Sequence, residues 1–337
     1  MPSQPRFRLP QLVATAALAA GLLTGCGGGT DVAPPAATTS AVATTGGNPF
    51  APTPMYADPD SSAALAAARA ESAGDADRSR VFTRLARTPS GIWLTPEQYP
   101  PGQVGPFVGS VVAAAGGAGA VPLFVVYGIP DRDCTGGFSA GGLTVDEYGP
   151  WVQEIAAALA GAPAAVVLEP DALAAAISCG RRDQRVALIT DALARLRTVG
   201  ASTYVDGGHS HWVEPEALAA LLREVGVDSI RGFATNVANY QTHADERRYA
   251  ERLSGLLGGA HYVIDSGRNG YGSTDEWCNP LGRALGLAPE SVDDGTGLDA
   301  LLWVKPPGES DGECRGGPPA GEFWPDRALA LAAASGW

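Results

Sequence analysis

Histidine and methionine are scarce in this chain of 337 residues, at four and two copies. Only His209 and His211 fall close together. An H-x-H beside Asp206 is a weak metal signal, and a hydrogen-bonded structural role suits it better. Five cysteines are present, but no two stand in C-x-x-C spacing, so a zinc site is disfavoured. No G-x-G-x-x-G follows the first strands, which removes the main sign of a dinucleotide site. No repeat of fixed period runs through the chain, which argues against a solenoid. Basic residues are the minority, with 23 Lys and Arg against 36 Asp and Glu and a net charge of -13. That balance opposes binding to nucleic acid or anionic membrane surfaces and leaves neutral substrates open. No metal or other cofactor is expected.

What is present begins with a targeting segment. Arg6 and Arg8 precede an apolar run, Leu12 to Leu23, too short to span a bilayer comfortably. The run ends Leu-Thr-Gly-Cys, which resembles a bacterial lipobox. Residues 1–25 therefore read as a lipoprotein signal peptide, with Cys26 as the lipid-bearing first residue of the mature protein. Residues 26–56, rich in Gly, Thr, Pro and Ala, read as a flexible tether, and residues 57–337 as one folded domain, expected to be monomeric. The expected location is outside a bacterial cell, at its surface or secreted, with membrane contact only through the lipid. Setting Cys26 aside leaves an even four cysteines for an oxidising compartment, and four allow three pairings. Sequence neighbours pair most simply: Cys134 with Cys179 and Cys278 with Cys314.

From about Ala57 the pattern is strand, loop and helix in repetition. Apolar runs near 91–94, 121–128, 164–171, 202–208, 230–239, 261–267 and 300–306 read as strands buried on both faces, as parallel strands are. Helical patterns lie between most of them. One opens on Thr144 with Glu147 three residues on, a capping box, and closes on Gly161. Others close on Gly200, Gly226 and Gly258. This is an α/β fold with a parallel sheet. Nearly every strand ends in polar groups, among them Asp131 and Asp133, Glu169 and Asp171, Asp206 and His209, Asn236, Asp265 and Arg268, and Lys305. A barrel brings such ends to one face, where barrel enzymes carry their chemistry, whereas an open sheet spreads them along a line. A barrel is preferred.

Strand ends rich in carboxylates, with tryptophan nearby, suit cleavage of glycosidic bonds. That reaction needs one carboxyl group kept protonated for the leaving oxygen and a second as base or nucleophile. Trp93, Trp212 and Trp277, flanked by polar or turn residues, are candidate stacking platforms, whereas Trp303 sits in an apolar run and belongs to the core.

Seven segments then carry a resemblance: "VVYGIPDRDC", "AAVVLEPDALA", "YVDGGHSHW", "RGFATNVANY", "DSGRNG", "WCN" and "LLWVKPPGESDG". In this order they resemble glycoside hydrolase family 6, the inverting β-1,4-glucanases, over about residues 80 to 335. The resemblance implies a distorted parallel (β/α) barrel with fewer than eight strands, a single catalytic domain, and a β-1,4-glucan as binding partner. It implies Asp171 as general acid, Asp133 as the carboxylate that keeps it protonated, and Asp311 as the residue usually proposed as base. Tyr127 would crowd the distorted sugar and Ser139 would help hold the attacking water. Asp206, Lys305 and Glu309 fall on sugar-binding positions, with His209 and Asn236 grouped with them, and Trp93, Trp212 and Trp277 on platforms. The two disulfides it implies are Cys134–Cys179 and Cys278–Cys314.

Chain-end members of the family roof the cleft with long loops. Here only about twenty residues separate Lys305 from Pro325, and a second Trp after the "GH" motif is missing, with Pro215 in that region. The expectation is attack within chains, with a cellobiohydrolase or a non-catalytic glycan-binding lipoprotein as alternatives.

Overall fold

The computed structural model describes residues 47–51, 53–133, 137–274 and 276–337. The leader, Cys26 and Cys134 lie outside the described residues, and with Cys134 so does the expected Cys134–Cys179 pairing.

Seven strands run parallel: β1 (Ile92–Leu94), β2 (Leu123–Val126), β3 (Ala165–Leu168), β4 (Ser202–Asp206), β5 (Gly232–Thr235), β6 (His261–Asp265) and β8 (Leu298–Leu302). The short β7 (Glu290–Ser291), not foreseen from the sequence, adds to β8 antiparallel, giving the order β1-β2-β3-β4-β5-β6-β8-β7. The sheet curls into a distorted barrel whose seam is not a strand pair. Gly91 N–H donates to the Trp303 carbonyl at 2.8 Å, and the Trp93 indole N–H to that of Val304 at 2.9 Å. A side chain at Gly91 would put its Cβ 2.2 Å from the Val304 oxygen, so only glycine closes the seam.

Alternation along the strands divides the core. In β2, Phe124 and Val126 face the helices, whereas Leu123 and Val125 face the barrel interior. The interior is filled mostly by Val and Ala from successive strands, together with Tyr204. Helices α4 (Val145–Leu159), α6 (Arg182–Leu196), α7 (Pro215–Glu224) and α8 (His243–Leu256) cover the outside, each where its pattern predicted. The Glu147 carboxylate accepts bonds from the Thr144 N–H and hydroxyl, as the capping-box spacing requires. Two helices that precede β1, α1 (Ser62–Ser72) and α2 (Ala76–Arg87), and the Gly-rich α3 (Val104–Gly117) were not foreseen. The short α5 (Ala172–Ala176) follows β3, and α9 (Pro325–Ala334) packs against α2. Cys278 and Cys314 form a disulfide across 36 residues.

The folded part begins before residue 57. Phe50 is buried in the interior cluster and stacks on Tyr204, with centroids 6.3 Å apart. Asn48 donates to the carbonyls of Val292 and Asp299, and Met55 bridges Val121. The composition of residues 48–56 hides this, because one Phe and one Asn carry the attachment. Replacing Phe50 by Ala should lower unfolding stability by about 3–5 kcal/mol, measured by denaturant titration. A loss below about 0.5 kcal/mol would mean that the segment is only a tether.

Candidate active site

Where a parallel ladder stops, the N–H groups of the next turn have lost their strand partners and need acceptors. Three strand-end carboxylates provide them. Glu169, just past β3, accepts from Gly128 N–H at 3.0 Å and Ile129 N–H at 3.2 Å in the loop after β2. Asp206, the last residue of β4, accepts from Asp171 and Gly208 N–H through one oxygen, both at 3.0 Å. Asp265, closing β6, accepts from Ala238, Gly267, Val304 and Lys305 at 3.0–3.2 Å. Each buried carboxylate thus fastens its own strand end to a neighbouring one. The fastened turns are unusual: Asp131, Asp133, Glu169, Asp171, Asn236 and Ala238 all have φ between 49° and 68°. Left-handed backbone at a non-glycine residue costs about 1–3 kcal/mol and persists only where the surroundings impose it.

A groove of about 810 Å³ opens above these turns, with Tyr127, Ser139, Asp171 and Asp311 among its lining residues. The Asp171 side chain reaches the groove but is otherwise enclosed by protein. Burial and the neighbouring Asp133 carboxylate push it up to about 7, opposed by the Arg185 guanidinium. Asp171 can therefore hold its proton near neutrality. Asp133 accepts from Ser139 N–H at 3.3 Å. A side chain at Gly137 would place its Cβ 2.1 Å from an Asp133 carboxylate oxygen, so that glycine makes room for it. Gly137 to Gly141 reads Gly-Phe-Ser-Ala-Gly, formally the spelling of a nucleophile elbow. It lies in a loop rather than at a strand-to-helix turn, and no histidine lines the groove, so Ser139 has no activating base.

Arg132, a charge partner for the loop, pairs with Glu97 at 2.8 Å and donates to the carbonyls of Tyr127 and Ser139, both at 2.9 Å. Its guanidinium lies over the Tyr127 ring, 4.7 Å from the centroid. Asp131 is on the outside, paired with Arg181.

Asp311 is tied down on both oxygens. One receives Arg268 at 2.7 Å, the other Tyr240 OH at 2.9 Å and Asn279 N–H at 3.0 Å. The nearby carboxylate and phenol raise the Arg268 guanidinium's already high affinity for its proton, although burial opposes them. This network, Arg268 with Tyr240 and Asn279, was not read from the sequence. Arg268 was visible as a polar strand end, but its partner stands 43 residues away.

At one side of the groove Trp93 carries Lys305 over its ring at 5.0 Å, Lys305 pairs with Glu309 at 3.1 Å, and Tyr127 meets Trp93 edge-on at 5.2 Å. At the other side Trp277 stands half-exposed beside Phe138, which was not foreseen as a lining group. Phe138 also packs on Gly312, so the loops after β2 and β8 touch there.

Four expected sugar-binding residues are not brought into this groove. Asp206 is buried and serves the backbone of Asp171. Asn236 is fully buried, and its amide is used by Gln241 and the Asp265 carbonyl, while Ala238 and Asn239 line the groove instead. His209 and Trp212 pack on each other, centroids 5.5 Å apart, outside the groove lining. Burial, with His211 adding to it, lowers His209 to about 4, so its ring is neutral. Among the described residues, no cluster of three or more His, Cys, Asp or Glu is arranged to hold a metal.

A strand-ended barrel with a carboxyl raised toward neutrality, a second carboxylate nearby and aromatic platforms along a groove is the architecture of a glycoside hydrolase. The family described as "Glycosyl hydrolases family 6" matches residues 50–335, and the chain belongs to it. Endoglucanase A of Cellulomonas fimi is 44% identical over 272 residues, which cover 80% of this chain and 59% of that protein. Endoglucanase 1 of Streptomyces halstedii is 36% identical over 289 residues, covering 82% and 88%. The structure of the endoglucanase Cel6 from Mycobacterium tuberculosis, in complex with methyl-cellobiosyl-4-deoxy-4-thio-β-D-cellobioside, superposes with a TM-score of 0.81 at 44% identity, covering 86% of this chain and all of that one.

Replacing Asp133 by Asn removes the like charge beside Asp171 and lowers its affinity for the proton. A general acid works only while protonated, so the alkaline limb of kcat should move to lower pH. An unmoved limb in a pH–rate profile would separate the two groups.

Proposed function

We propose that this chain is an endo-acting β-1,4-glucanase that hydrolyses glucan chains with inversion. One observation carries the reading: an enclosed carboxyl, Asp171, borders a groove lined by aromatic rings, where burial and the nearby Asp133 raise its affinity for the proton. Asp171 gives its proton to the glycosidic oxygen as the bond to the sugar breaks. Water attacks the opposite face of the ring, which needs the acid and the water-activating group roughly 6.5–9.5 Å apart. Ser139 positions that water, and Tyr127 presses on the sugar at the cleavage point.

The water's proton needs an acceptor. Asp311 could take it only by weakening its pair with Arg268 and two further bonds. Asp133, bonded to the Ser139 N–H, is a second acceptor, at the end of a short relay through water. The same carboxylate then raises Asp171 before the reaction and collects a proton during it.

The endo mode is supported by the course of the loop after β8. Residues 306–324 fold back on themselves through Ser310 N–H to the Glu322 carbonyl, Gly321 N–H to that of Ser310 and Trp324 N–H to that of Gly308. Such a closed turn has little chain left to cover the groove. Among the described residues, Phe138 beside Gly312 is where it meets the loop after β2.

Proton NMR of fresh cellotetraose digests should show α-anomer product first, and Asp171→Asn should lower kcat by at least about 10³-fold while cello-oligosaccharides still bind. Carboxymethyl-cellulose should lose viscosity steeply per bond cut. Initial β-anomer product would refute inversion, and a viscosity that barely falls would refute the endo mode.

A further inference from the structure

We propose that the groove continues past Trp93 into a further glucosyl-binding site, built on Tyr99 backed by Phe107 and flanked by Gln98 and Asp58. The inference rests on the glucanase reading above and adds to it where a longer chain is held.

The cavity that contains Asp171 does not stop at the Trp93 platform. Tyr99, on the loop after β1, Phe107, Gln98 and Asp58 also line it. Tyr99 and Phe107 stack with centroids 4.0 Å apart and planes inclined by 17°. Both rings are half-buried and both border the groove that holds Trp93 and Asp171.

The pair is held in place from several directions. The Trp151 indole N–H donates to the Tyr99 carbonyl at 2.8 Å, and the Gln98 amide to the Tyr99 hydroxyl at 3.0 Å. Burial and the charge of Asp58 push that hydroxyl up to about 12, so it stays a neutral donor and acceptor. Ser62 at the start of α1, also in the groove lining, donates to Glu309 at 3.0 Å, the carboxylate that pairs with Lys305 beside Trp93. The chemistry is that of a neutral sugar: a flat apolar ring for the C–H face, with carboxylate and amide groups at its edge for the hydroxyls. Binding energy gathered this far from the cleaved bond is available to hold the chain in register.

The test is kcat/KM on cellotriose, cellotetraose, cellopentaose and cellohexaose for the wild type, Tyr99→Ala and Tyr99→Phe. The wild type should gain with length. Tyr99→Ala should lose roughly 3- to 10-fold on the longest substrates and leave the shortest unchanged, with Tyr99→Phe close to wild type. In an Asp171→Asn background, Tyr99→Ala should weaken cellohexaose by a similar factor in calorimetry. A loss equal at every length would make Tyr99 a purely structural residue, and no loss at any length would remove the site. If the wild type cleaves all four yet these variants behave so, the glucanase reading survives and only the outer site falls. If the wild type cleaves none, the reading itself falls and takes the site with it.

Discussion

A carboxylate at the C-terminal end of a parallel strand sits among N–H groups that the ladder no longer satisfies. Glu169, Asp206 and Asp265 exploit that position around the barrel mouth, each accepting from a neighbouring strand's loop. Asp171, held by Asp206 through its N–H, and Asp133, in the loop after β2, both stand in left-handed backbone there. Loops without such anchors would relax toward ordinary backbone and carry the site carboxylates with them.

The same interaction sets the protonation of the site. Burying a carboxylate favours its neutral form unless bonds to the charged form compensate. Burial carries Glu169 up to about 7 despite two N–H donors, and raises Asp206 well above the carboxylate range with Asp171 close by. Asp171 shares this environment and has the Asp133 charge as well. Because the folded protein holds protons that the unfolded chain releases above pH ~4, Glu169 and Asp171 make stability fall as pH rises from ~4 to about 7. The proposed acid is thus the member of a carboxylate ring that opens to the groove, and its tuning comes from its frame.

Much of this was legible in the sequence. Seven apolar runs marked the seven parallel strands, glycines marked the helix ends, and the repeated polar strand ends pointed to a barrel mouth. Other parts could not be read, for definable reasons. Asn236 and Lys305 are both polar residues at strand ends, yet one turns into the backbone and the other into the groove; composition does not distinguish them. The Ala-rich α1 and Gly-rich α3 lack a strongly two-sided pattern. Phe50 lies in a stretch that looks like linker because its neighbours are small and polar. The Arg268–Asp311 pair joins positions that only the barrel brings together.

The family resemblance points to Asp311 as base, but here both its oxygens are already engaged, by Arg268, Tyr240 and Asn279. The proposed reactive pair is then Asp133 and Asp171, at the ends of neighbouring strands, where Glu169 holds the turn after β2 and Asp206 the Asp171 backbone. The direct measurement is the turnover of Glu169→Gln, a replacement of equal size that exchanges one of two acceptor oxygens for a donor. If the carboxylate frame positions the acid, kcat should fall by about 10- to 100-fold with oligosaccharide affinity nearly unchanged and the fold retained by circular dichroism. A folded Glu169→Gln with wild-type kcat and an unshifted pH profile would contradict it.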